Sequence, residues 1–107
     1  MALVLSPEAE ADLDAIWYYT ATESGSPEIA DRLIDRITER FLLLSRHPYL
    51  GRKRDQDLRP GIRSLVAGEY LILYRVRQNE ADILHIVRGT RDVHALFGDH
   101  AISPPQR

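Results

Sequence analysis

Two triplets, Ser6-Pro7-Glu8 and Ser26-Pro27-Glu28, each stand just ahead of an apolar stripe of helical period, and they dictate how this chain begins to fold. Serine favours the N-cap because its hydroxyl accepts an orphan backbone N–H. Proline suits the first helical position, where its missing N–H would have had no partner. Behind the first triplet Ala9, Leu13, Ile16, Trp17 and Thr20 recur at helical spacing. Glu8, Glu10, Asp12 and Asp14 cover the other sides, near the positive end of the helix dipole. The spacing predicts a helix of about fifteen residues, closed by the Ser24-Gly25 turn. Behind the second triplet the stripe is Ala30, Leu33, Ile34, Ile37, Phe41 and Leu44. That helix stops near His47, because Pro48 disfavours helical geometry in the residue before it. So short a link between amphipathic helices predicts an antiparallel helical hairpin.

The period then changes. Ile62 to Val66, Tyr70 to Arg77 and Asp82 to Arg88 are rich in β-branched and aromatic residues, and Ala67-Gly68 and Gln78-Asn79 supply tight turns between them. A three-stranded antiparallel meander follows, with Leu3 to Leu5 as a short N-terminal strand. The expected class is α+β, in the order β-α-α-β-β-β, with the helices segregated to one face. The middle strand is apolar until Arg75, which suits a central strand covered in part on both faces. Alternation sends Ile72, Tyr74 and Val76 one way and Arg75 and Arg77 the other. Pro48 to Gly61 reads as a loop. Residues 1–97 are expected to form one domain and residues 98–107, GDHAISPPQR, a mobile tail.

Charge is split along the chain. Residues 1–45 hold three basic residues against nine acids, and residues 46–92 hold ten against six, so a net charge of −2 conceals two unlike stretches. Nearly all the cations of the second stretch are arginines, whose planar fork suits bidentate contacts to carboxylate or phosphate. Such a distribution predicts a surface that attracts an anionic partner.

Several chemistries are disfavoured. The chain has no cysteine, which removes disulfides, thiolate zinc sites and a cysteine nucleophile. His47, His85, His94 and His100 are scattered without ligand spacing, and no GxSxG elbow is present. No metal and no cofactor are therefore expected. No apolar run is long enough to span a bilayer, and the acidic start is unlike a signal peptide, so the cytoplasm is the expected compartment. Trp17, Tyr18 and Tyr19 cannot all face one core, so one or two should lie exposed or under a partner.

Five ordered pieces resemble a known family: LSPEAEADLDAIWYY, RHPYLGR, DLRPGIRS, GEYLILYRV and ILHIVRGTRDVHALF. They are similar to the ParE branch of the RelE/ParE superfamily, toxins of bacterial type II toxin–antitoxin modules, and the resemblance covers roughly residues 3 to 97. The resemblance implies a helical hairpin packed on a small antiparallel sheet joined by the N-terminal strand. It also implies a toxin that inhibits DNA gyrase by binding, without catalytic residues of its own, and that is neutralised by a ParD-like antitoxin. No membrane and no direct sequence-specific nucleic-acid binding are implied. The alternative within the superfamily is a ribosome-dependent mRNA endonuclease of the RelE type. Arg91 falls where that pattern places a phosphate-binding arginine, but Leu96 and Phe97 stand in place of its proton-transferring tyrosine. On this basis Arg59, Arg63, Arg88 and Arg91 are expected to form one patch for target or antitoxin, and Trp17 and Tyr18 to line an antitoxin groove.

Overall fold

The computed structural model describes residues 3–89. Five strands and two helices follow in the order β1 (Leu3–Leu5), α1 (Pro7–Ser24), α2 (Pro27–Arg46), β2 (Arg52–Lys53), β3 (Arg63–Ala67), β4 (Tyr70–Arg77) and β5 (Glu80–Arg88). Both expected caps form. The Ser6 hydroxyl accepts from Ala9 N at 2.9 Å and that of Ser26 from Ile29 N at 3.3 Å, each with proline in the first turn behind it. Helix α1 runs 18 residues, longer than its apolar stripe suggests, and ends on Gly25 at φ 70°. That left-handed conformation is one glycine adopts without a Cβ penalty. Helix α2 ends at His47, whose N–H donates to Leu43 O at 2.9 Å just before Pro48.

The sheet is larger than the expected meander. Its order is β1-β5-β4-β3-β2, so β4 lies in the middle. The three long strands are antiparallel, β1 adds in parallel along β5, and β2 adds antiparallel along β3. Strand β2 was hidden because two exposed charged residues carry no apolar alternation; only pairing to β3 makes them a strand. The β4–β5 turn has Gln78 and Asn79 both at positive φ, the sign pattern of a type I′ turn. The β3–β4 turn sits one residue later than expected, at Gly68-Glu69, because Ala67 still pairs with Tyr70.

The helices cover one face only. Ile16, Ile37, Phe41 and Leu44 pack against Tyr70, Ile72, Tyr74, Ala81, Ile83 and Ile86, with Val76 at the margin. On the other face Leu71, Leu73 and Val87 are covered by Leu58 and Ile62 from the segment between β2 and β3. Arg75 and Arg77 also lie on that face, where Arg77 donates to Asp82 at 2.8 Å. The alternation read along β4 therefore holds. Burying each large apolar side chain contributes roughly 1.5–3 kcal/mol. Burial on both faces is why β4 reads as a near-continuous apolar run.

The covering segment is held by charge. Arg54 is buried, reaches Ser64 Oγ at 3.0 Å, and places Nε and Nη2 on the two carboxylate oxygens of Asp57 at 2.6–3.1 Å. Those hydrogen bonds, with the guanidinium charge, hold the Asp57 carboxyl below the usual carboxylate range. Asp55 adds a bond from Gly61 N at 2.8 Å. Among the described residues no helix is long and apolar enough to cross a membrane.

Candidate partner-binding groove

Where β1 stops, the edge of β5 loses its ladder partner, since the parallel pairing ends at Leu5 and Ile83. Side chains of α1 and its cap take over that edge. Ser6 Oγ donates to Leu84 O at 2.8 Å, and Asp12 Oδ2 accepts from Ile86 N at 2.9 Å while lying 3.0 Å from His85 Nδ1. Satisfying these backbone groups pins α1 along β5. Farther along, the helix and the strand leave a gap between them.

That gap is a groove. A hollow of about 340 Å³ lies between α1 and β5, lined by Asp12, Ile16, Tyr19, Tyr70, Ile86 and Arg88 among others. A second, of about 460 Å³, opens beneath the end of the helical hairpin, where Tyr19, Leu33 and Arg36 face the β3–β4 turn, Tyr70 and Arg88. The two share Tyr19, Tyr70 and Arg88. Arg36 in turn borders a hollow of about 390 Å³ on α2 with Arg40, Leu43 and Arg46. The result is a concave strip with an apolar, aromatic floor and both signs of charge along its margins, where Glu23, Glu39 and Glu69 stand among the arginines.

Charge on the rim is unevenly matched. Arg88 binds Glu69 through Nη2 at 2.7 Å and Nε at 3.2 Å, and both bonds end on the same oxygen, Oε1. Glu69, and then the Tyr19 hydroxyl, favour the charged guanidinium and raise its pKa. Arg36 and Arg40 make no ion pair among the described residues. An arrangement of this kind fits an amphipathic chain: apolar side chains for the floor and carboxylates for the rim.

The expected site residues fall in several places. Arg88 lies on the rim where the two hollows meet. Arg63 does not join it: Arg63 pairs with Tyr74 and Arg88 with Tyr70 on the other flank of β4. Their Cα atoms are thus about 13 Å apart along the strands and about 10 Å across them. Arg63 Nη1 is turned to the carbonyls of Tyr49 and Gly51 at 3.1 and 2.8 Å, and its guanidinium stacks 5.3 Å over the Tyr49 ring. Arg59 is exposed in the segment that covers the opposite face of the sheet. Arg91 lies outside the described residues, as do His94, Leu96, Phe97 and the tail. Where described, the arginines expected to form one patch are spread over the molecule, because pairing partners and not sequence distance decide their separation.

The aromatic expectation also shifts by a residue. Trp17 turns toward α2, where its indole N–H donates to Asp31 at 2.8 Å, and Tyr18 is 71% exposed away from the groove. Tyr19 lines the groove instead. Its signal was present in the sequence: it follows the core residue Ile16 by three and Asp12 by seven, placing all three on one flank of the helix. Tyr70, Glu69 and Arg36 carried no such signal.

Known proteins share this architecture. The family model for the ParE toxin of the type II toxin–antitoxin system, parDE, matches residues 3–93. Toxin ParE3 of Caulobacter vibrioides is 34% identical over 87 residues, 81% of this chain and 85% of that protein. Toxin ParE1 of the same organism is 30% identical over 94 residues, 88% of this chain and 95% of its own. Among solved structures, a chain from the chromosomal ParDE toxin–antitoxin system of P. aeruginosa superposes with a TM-score of 0.73 at 32% identity, covering 84% of this chain and 97% of that one.

Proposed function

The chain belongs to the ParE family of type II toxins, and from that membership we propose that it arrests growth by binding DNA gyrase until a ParD-like antitoxin occupies its groove. The observation that carries the antitoxin half of this reading is the groove itself. An apolar floor of Tyr19, Leu33, Tyr70 and Ile86, with Arg36, Arg40 and the exposed Arg88 set among Glu23, Glu39 and Glu69 at its edge, fits a chain that is apolar on one side and brings carboxylates to those arginines. A flexible antitoxin segment that folds on contact can follow such a strip across two helices and a strand end. Trp17 and Tyr18 take a secondary part: the first braces the helical hairpin, and the second offers its exposed ring to whatever passes over α1.

Arg59, Arg63 and Arg91 are proposed as separate contacts to the target, on the strength of the family resemblance alone. Arg63 lies well away from the groove, on the other flank of β4 from Arg88, which leaves separate surfaces for target and antitoxin. The ribonuclease alternative lacks its proton-transfer group, because Leu96 and Phe97 stand where that pattern places a tyrosine. The toxin acts in the compartment that holds gyrase, the cytoplasm.

A supercoiling assay tests the target. Purified chain should inhibit gyrase-driven supercoiling of relaxed plasmid, and the product of the adjacent antitoxin gene should restore it. Undisturbed supercoiling, together with discrete cleavages within codons of cellular mRNA after induction, would instead establish the endonuclease.

A further inference from the structure

Arg88 and Glu69 form an ion pair that differs in kind from the internal pair of Arg54 and Asp57. Arg54 engages both oxygens of its carboxylate and is buried. Arg88 reaches Glu69 through two N–H groups that crowd onto one oxygen, and the two side chains are 52% and 72% exposed. A guanidinium binds a carboxylate best when its two parallel N–H groups each meet a separate oxygen. The Arg88 pairing falls short of that geometry, in water, at the mouth of an apolar groove. Tyr19 and Tyr70 line both hollows that meet at this arginine.

We propose that Glu69 is a placeholder: in the free protein it occupies Arg88, and the segment that fills the groove brings its own carboxylate and displaces it. This rests on the reading of the groove as the antitoxin site and specifies that partner's chemistry. The incoming chain carries an Asp or Glu next to apolar side chains that enter the hollows beside Tyr19 and Tyr70. Closing the groove removes water from around Arg88, and a charged hydrogen bond strengthens as its surroundings become less polar. The exposed bond to Glu69 has no such advantage. Glu69 sits on the tight turn between β3 and β4, so it can swing into solvent without disturbing the ladder that ends at Ala67 and Tyr70.

The test is a double-mutant cycle read as affinity for the purified product of the adjacent antitoxin gene, measured by calorimetry without gyrase. Glu69→Gln keeps the shape and removes the competing charge, so it should tighten binding by about twofold to fivefold, the range set by an exposed ion pair. Arg88→Gln should weaken binding by about tenfold or more. In the Arg88→Gln background the Glu69→Gln gain should vanish. A Glu69→Gln variant that binds as before or more weakly, or a gain that survives without Arg88, overturns the proposal and leaves the antitoxin reading intact. Failure of the unmodified protein to bind overturns both. Because gyrase is absent, a failed supercoiling assay does not bear on the result.

Discussion

The Tyr74 hydroxyl shows how a single buried polar atom can position a surface. It accepts from Gly51 N at 2.6 Å, the Gly51 carbonyl accepts from Arg63, and the Tyr49 carbonyl accepts from the same nitrogen. The loop after α2 is thereby held through both backbone polar groups of one residue, Gly51. A Cβ at Gly51 would overlap the Tyr74 ring and hydroxyl, so glycine is required there for close approach. Tyr74→Phe should cost about 1–3 kcal/mol, the penalty for a buried donor left without an acceptor. Burial raises the Tyr74 pKa above its ordinary value of 10.0. A group whose folded pKa is raised contributes stability that is fully present below the unfolded value and is lost as pH rises through the folded one. Urea midpoints should therefore hold up to the ordinary tyrosine value of 10.0 and fall as pH rises beyond it in the parent protein, with this contribution absent from the phenylalanine variant. Equal alkaline losses in both would remove Tyr74 as the cause. Of these contacts the sequence shows only an apolar strand containing a tyrosine; Gly51 lies 23 residues away.

At the scale of elements, the two serine caps look alike in sequence and differ in the fold. Ser26 caps its own helix through Ile29 N. Ser6 caps α1 through Ala9 N and also donates to Leu84 O on β5, while its backbone N–H donates to Ile83 O. One residue thus ends β1, starts α1 and closes the exposed edge of β5. Ser26→Ala should cost about 1 kcal/mol, the typical loss of a cap, whereas Ser6→Ala should cost about 2 kcal/mol, because the Leu84 carbonyl loses its donor as well. Thermal melts of the two variants side by side check the ranking; equal shifts would mean that water replaces the bond to Leu84. The caps, both helices and the three long strands were legible because each is written in local chemistry: serine then proline, a period near 3.6, and alternation along β4. Strand β2 and the parallel pairing of β1 were not. A strand of two or three residues exists only through its neighbour, and its neighbour is far away in sequence.

For the molecule as a whole, the groove is a product of assembly. Tyr19 from α1, Leu33 and Arg36 from α2, and Tyr70 and Arg88 from the sheet meet only after the hairpin has folded onto its face. Tyr19→Ala should leave the melting temperature within a few degrees of the parent, since the ring is 51% exposed. The same change should weaken antitoxin binding by about tenfold or more, as expected for an aromatic anchor at an interface. Co-expression makes this visible as growth arrest that the antitoxin no longer relieves; full rescue with unchanged affinity would place the antitoxin elsewhere. By itself the sequence determined the helical hairpin, the long strands, the division of β4 into two faces and the resemblance to ParE toxins, since all of these depend on residues close together along the chain. Only the tertiary structure decided which arginines share a surface. It parted Arg63 from Arg88, buried Arg54 against Asp57, and chose Tyr19 over Tyr18 for the groove. The reason is that strand register and helix rotation set separation and direction in space, and neither follows from distance along the chain.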